Sequence, residues 1–375
     1  MSELQINILR GENKIGENLI EITDGNTKLL LECGVALQET EQTRRIEEQV
    51  LRSCYDGVII THCHADHCGL LKEQIHAEKI YIGEATYKIL EYCGAVHEKN
   101  KEKIYFMRNE KIFFIGNLQV TPYLCDHSAY DSYMIEIKAA QENLLYTGDF
   151  RANGRKNFEV LLKKLPNHVT YLITERTNIN LHNDTESDLE EKAVEIMKNH
   201  QRIFVLQSTL NIDRMVSFYR AAKRTGKPFI MSKSAADIGN LYENIPSPVQ
   251  FSNCYTYLHR KQTKELHESI KSTYGNKLLA RSAIAKKKSF VMQIHSGMLQ
   301  YLHKLSQETD LSDSIVVYSM WKGYKTSMQA FLKGIEDLGM KIVDLHVSGH
   351  ADLKTVKRLI NKTHPKEIYM VHCEK

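Results

Sequence analysis

The first half of the chain alternates short apolar runs with polar turns. Asp24-Gly25-Asn26 and Gly116-Asn117 are turn signals that separate consecutive runs. Stretches with helical spacing of apolar residues intervene near Glu39–Ser53, Gly83–Cys93 and Asn157–Lys164. The runs predict strands over Gln5–Leu9, Leu19–Thr23, Lys28–Glu32, Val58–Thr61, Ile80–Ile82, Ile112–Ile115, Leu118–Leu124, Ser132–Lys138, Asn143–Tyr146 and Tyr171–Thr174. This mixture indicates an α/β fold of two sheets with helices outside, an αββα sandwich.

A second pattern begins near Leu181, after which His182–Ser187 reads as a polar linker. Ser187 and Glu190 have capping-box spacing and predict a helix that runs to about Asn199. Strand-like and helix-like stretches then alternate over Ile203–Gln207, Ile212–Arg224, Pro228–Met231, Ala235–Glu243, Ser289–Ile294, Met298–Ser306, Ser314–Ser319 and Tyr324–Leu338. Such alternation predicts a second α/β domain with a parallel sheet and crossover helices.

The last stretch, Lys341–Lys375, predicts a further strand–helix–strand unit, and it carries histidines again. We expect this unit to rejoin the first domain. A chain of 375 residues is long enough for about two domains. We therefore predict a first domain over residues 1–180, an inserted domain over 181–339, and a return to the first domain over 340–375.

The net charge of +4 is too small to indicate a nucleic-acid partner by itself. Its distribution is more informative, because residues 181–338 hold 22 Lys and Arg against 16 Asp and Glu, which gives +6. The remainder carries 28 against 30, or −2. The positive charge is concentrated at Arg220–Lys227 and Arg281–Lys288. These clusters fit either solvated helix faces or a basic module over an anionic substrate.

Nothing in the chain predicts export or a membrane span. Met1–Arg10 lacks the basic start and apolar middle of a signal peptide, and no apolar run reaches about 18 residues. The eight cysteines include no C-x-x-C pair, so we interpret them as reduced thiols of a cytoplasmic protein. We expect Cys63 and Cys68 to point into the protein instead of serving as metal ligands.

The chemistry of the chain centres on His62-Cys63-His64-Ala65-Asp66-His67, an H-x-H-x-D-H cluster directly after an apolar run. It places four potential metal ligands within six residues. On a short loop after a strand, alternate side chains converge on one point and the next two turn to a second. That arrangement suits a pair of metal ions; the competing interpretation is a solvated loop with chance histidines.

Three further polar sites follow predicted strands. His127 comes after the strand ending at Leu124, Asp149 after the one ending at Tyr146, and His372 after Glu367–Val371. Strand ends are where sites assemble in layered α/β folds. Each residue alone reads as an ordinary turn residue, but together with the cluster they complete two coordination spheres.

This set of motifs resembles that of the metallo-β-lactamase fold family. The resemblance implies that His62, His64 and His127 hold one metal ion and that Asp66, His67 and His372 hold a second. It also implies that Asp149 bridges the two ions. Imidazole and carboxylate ligands favour Zn²⁺, with Mn²⁺ as an alternative. Two such ions share a hydroxide and clamp a phosphoryl or carbonyl oxygen.

The middle of the chain narrows the resemblance to the β-CASP nuclease branch, which includes ribonuclease J and the endonuclease of the cleavage and polyadenylation machinery. Those proteins insert a second α/β domain into the metallo-β-lactamase domain. Their further motifs match Glu175 at a strand end and His350 in Val347-Ser348-Gly349-His350-Ala351. The final histidine, matched by His372, is typical of the branch that acts on RNA. The resemblance thus implies that Asp66, Glu175 and His350 are catalytic.

For His350 the resemblance implies protonation of the leaving oxygen, with Glu175 orienting an imidazole nearby. The alternative is a histidine that merely caps the helix near Ala351. In the inserted domain, a strand-to-helix turn carries Ser208, Asn211 and Arg214, which we expect to hold a backbone phosphate together with Ser348. A plain helix start with an outward arginine is the other interpretation of that turn.

Two positions depart from the family pattern. Where the family has Asp-Cys-Gly, the chain reads Glu32-Cys33-Gly34, so either the longer Glu32 reaches a ligand histidine or Asp24 takes its place. The sequence also stops three residues after His372, whereas ribonuclease J continues into another domain. We therefore do not expect the roles of that further domain in this chain. Whether the chain forms a homodimer stays open.

We predict a two-metal hydrolase that cleaves phosphodiester bonds, with RNA as substrate and partner and no membrane association. Two alternatives stay open: a hydrolase of a small ester, thioester or lactone, and a non-catalytic RNA-binding subunit. The apparently complete ligand set argues against the second alternative. The matches at Glu175 and His350, with the inserted domain, argue against the first.

Overall fold

The computed structural model describes residues 3–180, 182–241, 254–260 and 262–373. Its strands are β1 (Gln5–Arg10), β2 (Leu19–Asp24), β3 (Thr27–Leu31), β4 (Gly57–Ile60), β5 (Ile80–Gly83), β6 (Ile104–Met107), β7 (Phe113–Ile115), β8 (Leu118–Cys125), β9 (Ser132–Ala139), β10 (Glu142–Tyr146), β11 (Tyr171–Glu175), β12 (Arg202–Leu206), β13 (Phe229–Ser232), β14 (Tyr255–Tyr257), β15 (Leu278–Leu279), β16 (Phe290–Ile294), β17 (Ile315–Tyr318), β18 (Lys341–Asp344) and β19 (Glu367–Val371).

The α-helices of the described residues follow the same chain order. They are α1 (Glu41–Arg52), α2 (Ala65–Cys68), α3 (Glu84–Tyr92), α4 (Glu98–Lys101), α5 (Phe158–Lys164), α6 (Glu186–Asn199), α7 (Ile212–Arg224), α8 (Lys233–Leu241), α9 (Lys264–Tyr274), α10 (Arg281–Ala285), α11 (Leu299–Ser306), α12 (Gln329–Asp337) and α13 (Leu353–Thr363). The chain divides into two compact units, one of residues 1–183 and 349–375 and the other of residues 184–348.

The first unit contains two six-stranded sheets. One has the order β1-β2-β3-β4-β5-β6 and the other the order β19-β11-β10-β9-β8-β7. In the first sheet β1 to β3 are antiparallel and β3 to β6 are parallel. In the second, β19, β11 and β10 are parallel and the remaining pairs are antiparallel. Both sheets are therefore mixed.

A core of buried aliphatic residues lies between these two sheets. It joins Ile20 and Ile59 of the first sheet to Ile135 and Ile173 of the second. On the other face of the second sheet, a separate cluster packs helices α5 and α13 against β8 to β11. Sheets in two inner layers with helices outside form the αββα sandwich, so the predicted fold class is confirmed.

The second unit is built on one seven-stranded sheet in the order β15-β14-β13-β16-β12-β17-β18. Every neighbouring pair in it is parallel. A buried cluster on one face joins Phe204, Met292 and Val316 of the strands to Leu302 and Ile335 of helices α11 and α12. The predicted alternation of strands and crossover helices thus describes the type of sheet correctly, but β14, α9, β15 and α10 were not predicted.

The sequence misplaced several elements. Strand β18, which we expected in the returning part of the first domain, pairs with β17 in the second unit, and the return begins at Gly349. Helix α6 is capped by Thr185 with Asp188, not by Ser187 with Glu190, because Glu190 faces Arg224 instead of reaching back. Strand β6 was not predicted. The described part of the predicted helix Ala235–Glu243 reaches Leu241, and residues 242–253 lie outside the described residues. Leu181, near which the second pattern was predicted to begin, also lies outside them.

Across the described ranges, no helix combines the length and the apolar character needed to cross a membrane.

Candidate metal centre

The histidine cluster lies on the loop that follows β4, a strand buried along its whole length. His62 and His64 alternate on the extended segment after the strand, and His64 is the residue that precedes helix α2. The helical turn of α2 then redirects Asp66 and His67. The change from extended to helical backbone is therefore what separates the cluster into two pairs, as the sequence predicted.

The first group of candidate ligands comprises His62, His64, His127 and Asp149, whose ligand atoms all lie within 4.8 Å of one another. His62 Nε2 and His127 Nε2 lie 3.0 and 3.2 Å from His64 Nδ1. Asp149 Oδ2 lies 3.9 Å from His62 Nε2 and 3.8 Å from His127 Nε2. Three imidazole nitrogens and one carboxylate oxygen are a donor set that zinc prefers.

The second group comprises Asp66, His67 and His372, which also lie within 4.8 Å of one another. His372 Nε2 is 3.1 Å from Asp66 Oδ2, and His67 Nε2 is 3.9 Å from the same oxygen. Asp149 Oδ2 is 3.3 Å from His67 Nε2 and 3.5 Å from His372 Nε2. One oxygen of Asp149 therefore borders both groups.

Outer hydrogen bonds set the tautomer of three histidines of the two groups, His62, His127 and His372. His127 Nδ1 donates to the carbonyl of Gly349 at 2.7 Å, which leaves Nε2 for a metal. The Thr177 hydroxyl donates to the His372 carbonyl at 2.8 Å, so its oxygen accepts from His372 Nδ1 at 2.6 Å. In the same way Thr61 Oγ1 donates to Glu32 and accepts from His62 Nδ1 at 3.0 Å. The sequence did not indicate these roles of Thr61 and Thr177. Thr61 is the last residue of the predicted strand Val58–Thr61, and Thr177 follows the predicted strand Tyr171–Thr174 by three residues.

Glu32 does reach a ligand histidine, which resolves the departure from the family's Asp-Cys-Gly. Its Oε1 accepts from His67 Nδ1 at 3.2 Å and from the Tyr146 hydroxyl at 3.2 Å. Its Oε2 accepts from the Thr61 amide at 3.1 Å. The residue is fully buried and has a φ of +65°, a left-handed conformation that is strained for glutamate. The surrounding hydrogen bonds hold that conformation and with it the ring of His67.

The backbone packs closely around the cluster at Gly34. A side chain there would meet the carbonyl oxygen of Asp66 at 1.8 Å, so only glycine fits. His372 itself has a φ of +52°, and its amide donates to the Gly11 carbonyl at 2.6 Å. Backbone strain at a predicted ligand such as His372 is typical of functional sites.

The electrostatics of the centre fit a cation. Burial, followed by repulsion from His67 and His64, lowers the pKa of His62, and burial lowers the pKa of His127. Burial also lowers the pKa of His64 to about 4. These rings are therefore neutral and present lone pairs about 3 Å apart, which a cation between them would satisfy. Burial alone would raise the pKa of Asp149, but His372 and His67 hold it well below its usual value.

His350 and Glu175 form a pair beside the ligands. His350 Nδ1 lies 2.8 Å from Glu175 Oε2 and 3.7 Å from Asp149 Oδ2. The other oxygen of Glu175 accepts from the Phe150 amide at 2.8 Å. Burial alone would lower the pKa of His350, but the carboxylates of Glu175 and Asp149 outweigh it and raise the pKa to about 9. The helix after His350 is capped by Asp352 instead, so His350 is not the capping residue.

The predicted phosphate-holding residues lie in the second unit. Arg214 is wrongly assigned, because its guanidinium is fully buried and bonded to Glu186, to the Ser319 hydroxyl at 2.7 Å and to the Val347 carbonyl at 2.8 Å. Asn211 caps helix α7 through a hydrogen bond from the Arg214 amide at 3.0 Å. Ser208 is exposed and Ser348 is half-buried.

The cysteines play no visible part in this centre. Cys63 and Cys68 are buried, as expected, and the described cysteines are all free thiols. Cys68 Sγ donates to the His64 carbonyl at 3.1 Å, and burial raises its pKa well above the usual range. None of the described clusters of potential metal ligands includes a cysteine.

Residues 16–172 match the sequence profile described as "Metallo-beta-lactamase superfamily". Over 405 aligned positions the chain is 21% identical to ribonuclease J 1 of Streptococcus pyogenes serotype M3, with 100% of this chain and 69% of that protein covered. It is 20% identical over 440 positions to Integrator complex subunit 11 of Danio rerio, with 100% of this chain and 70% of that protein covered.

Among solved structures, the chain resembles the crystal structure of a protein of unknown function from Enterococcus faecalis V583. The TM-score is 0.79, with 17% sequence identity, and the match covers 99% of this chain and 94% of that one. At this identity the likeness concerns the fold.

Proposed function

From the premise that the chain is a metallo-β-lactamase-fold protein of the β-CASP family, and thus a metal-dependent hydrolase, we propose that it cleaves phosphodiester bonds of RNA with two zinc ions. The observation that carries the proposal is the position of Asp149. Its Oδ2 lies 3.3 to 3.9 Å from ring nitrogens of both candidate ligand groups and 3.7 Å from His350.

In this proposal His62, His64 and His127 would hold one ion, Asp66, His67 and His372 would hold the other, and Asp149 would be available to both. Zinc accounts for the predominance of imidazole ligands, and Mn²⁺ is the alternative. Such ions supply Lewis-acid activation of water and of the phosphoryl oxygens. The chain's own contribution is the orientation of the rings through Glu32, Thr61, Thr177 and the Gly349 carbonyl.

His350 acts as the general acid. Because its Nδ1 proton is held by Glu175, Nε2 is the atom that delivers a proton to the departing oxygen of the cleaved phosphodiester. The carboxylates of Glu175 and Asp149 raise the pKa of His350, which favours the protonated ring that a general acid requires. The buried Glu175 positions the ring through a carboxylate that is itself fixed by the Phe150 amide.

RNA is favoured over a small ester by two observations. The first is the His350–Glu175 pair, which can protonate the alkoxide that leaves a phosphodiester, whereas the thiolate of a thioester leaves without such help. The second is the similarity to ribonuclease J 1 of Streptococcus pyogenes, which extends over the whole of this chain. We also propose that Ser208, Asn211 and Ser348 contact the RNA backbone.

A side-by-side assay tests the proposal. The full chain is incubated with single-stranded RNA, single-stranded DNA, bis(p-nitrophenyl) phosphate and a thioester, with Zn²⁺ or Mn²⁺ and with a chelator. We expect RNA to be cleaved fastest and chelator to abolish cleavage. Preference for the thioester would replace the nuclease by a small-molecule hydrolase. Binding of RNA without cleavage under any metal would indicate a non-catalytic subunit.

A further inference from the structure

The second unit exposes two large aromatic side chains next to each other. Trp321 is the only tryptophan of the chain, and 55% of it is exposed, although tryptophan is normally well buried. Tyr324 is 48% exposed, and its ring centroid lies 5.4 Å from that of Trp321 at an interplanar angle of 89°. An exposed aromatic pair of this size needs a reason, because it leaves apolar area in water.

The local backbone fixes the indole in its exposed position. A Cβ at Gly323 would fall 2.2 Å from Trp321 Cζ3, so the ring lies directly on the backbone of that glycine. The Trp321 carbonyl accepts from the Tyr318 hydroxyl at 2.9 Å and from the Tyr324 amide at 3.1 Å. The indole is thus held in place before any ligand arrives, which reduces the entropy lost on binding.

The pair also lies where ligands bind in parallel α/β sheets. Trp321 follows β17 by three residues and leads into a short 3-10 turn over Lys322–Lys325. Since the seven strands of this sheet are all parallel, the segment lies at the carboxyl edge of the sheet. Crevices at that edge are the common binding sites of open α/β folds.

The segment that carries the pair is rich in lysine. Between Asp313 and Glu336 the sequence holds Lys322, Lys325 and Lys333 and no carboxylate. Lys325 Nζ lies 4.9 Å from the Tyr318 ring centroid and 2.7 Å from Asp344, so it is partly neutralised. Lys322 lies directly between the two aromatic residues in sequence. A flat aromatic face beside a lysine suits a ligand with flat rings and negative charge.

We propose that Trp321, Tyr324 and Lys322 form a platform on which a base of single-stranded RNA stacks while Lys322 contacts its phosphate. The inference rests on the proposed nuclease function, since it adds a contact for the same substrate. Stacking on aromatic side chains with nearby cations is how proteins hold single strands without reading their sequence. A protein partner fits less well, because among the described residues of this unit the only other large apolar side chain that is exposed is Leu266.

The single tryptophan makes the proposal directly testable in the full, metal-loaded chain. Oligouridine is added by rapid mixing while indole fluorescence is recorded, and the same mixture is analysed on a gel for cleavage. A base that stacks on Trp321 quenches its emission. Because this tryptophan is the only one, the recorded indole emission comes from Trp321 alone.

Two variants separate stacking from a general effect. Trp321→Leu keeps an apolar side chain without a flat face. Gly323→Ala keeps the indole but displaces it, because the added methyl group would overlap with the ring. Both should bind fluorescein-labelled oligouridine roughly 5- to 100-fold more weakly by anisotropy, with unchanged hydrolysis of bis(p-nitrophenyl) phosphate. Phe114→Leu, which changes an exposed aromatic of the first unit, should leave RNA binding unchanged. Circular dichroism checks that each variant is folded.

Each result decides the proposal. Cleavage of RNA without quenching, and with equal affinity in Trp321→Leu, overturns the platform and leaves the nuclease in place. Loss of a dimer in sedimentation of Trp321→Leu, without loss of RNA affinity, overturns it in favour of contact with a second copy. Quenching by RNA, together with weaker RNA binding by the variants, supports the platform. If this result comes without cleavage, the platform stands and only the nuclease assignment is wrong. Absence of both binding and cleavage removes both proposals.

Discussion

Nδ1 of His350 lies 2.8 Å from Oε2 of Glu175, in a pair that borders the candidate metal ligands. This contact leaves Nε2 as the ring atom that can exchange a proton with a reacting oxygen. The ring centroids of His350 and His372 are 5.1 Å apart, and those of His350 and His127 are 5.4 Å apart. His350 is thus adjacent to candidate ligands of both groups, although neither group includes it as a metal ligand.

Replacing His350 by alanine should abolish catalysis but keep the metal. Loss of a general acid lowers the rate by roughly 10²- to 10⁴-fold, while the seven proposed ligands are untouched. The rate of RNA cleavage and the metal content of the purified variant are measured together. His76→Ala, which removes an exposed histidine of the same unit, is the control. A variant that cleaves like its parent, or one that loses its metal, contradicts the general-acid role.

Glu175→Gln should move the pH dependence of cleavage. Burial lowers the pKa of His350, and the carboxylates of Glu175 and Asp149 outweigh it and raise the pKa to about 9. A general acid works while protonated, so activity persists below this pKa and is lost as the pH rises through it. Without the Glu175 charge the pKa falls, and the decline should begin at lower pH. Bound cations act on parent and variant alike, so the difference between their profiles of kcat/KM is the informative quantity. Coincident profiles would falsify the pairing.

Glu32→Gln should weaken metal binding without removing a ligand. The change replaces the carboxylate that accepts from His67 Nδ1 and Thr61. Loss of an outer hydrogen bond of this kind weakens metal affinity by roughly 10- to 100-fold. Titration with a competing chelator measures the affinity. Glu136→Gln alters another buried carboxylate, one bonded to the Tyr123 hydroxyl at 2.9 Å, and should bind metal normally. Equal affinities in both variants would remove Glu32 from the account.

The second unit depends on a buried ion pair. Arg214 and Glu186 are both fully buried, with Nη2 and Oε1 3.0 Å apart. Glu186→Ala leaves a buried guanidinium without its carboxylate and should destabilise the unit by about 3–5 kcal/mol. Urea unfolding followed by Trp321 fluorescence reports on this unit. Glu191→Ala, which breaks the exposed pair with Arg224, should change stability by no more than about 1 kcal/mol. Similar midpoints for the two variants would argue against the structural role of Arg214.

Arg214 illustrates what the sequence cannot specify. The strand-to-helix turn was correctly predicted, but the direction of the side chain depends on Glu186, 28 residues earlier, and on carbonyls more than 100 residues later. Strand β18 was misplaced for a related reason: its own pattern is that of a strand, and only pairing with β17 decides its sheet. Strand β6 was missed although Ile104-Tyr105-Phe106-Met107 is an apolar run, because a run of four residues is too short to indicate a strand by periodicity.

The convergence of the candidate ligands was more predictable. Each follows a strand whose apolar pattern is clear, and the ends of neighbouring strands meet at one edge. The sequence could not indicate how Glu32 reaches His67, because that depends on a left-handed backbone at Glu32. The roles of these residues stay predictions, to be settled by metal analysis and cleavage assays.

The measurement that tests the account most directly is the metal content of the chain and of Asp149→Ala, purified without chelator and analysed by inductively coupled plasma mass spectrometry. The account predicts close to two transition-metal ions per chain for the parent, because two ligand groups meet at Asp149. It predicts fewer for Asp149→Ala, together with loss of RNA cleavage. A parent that carries no metal, or a variant with the same metal content and activity as its parent, would contradict it.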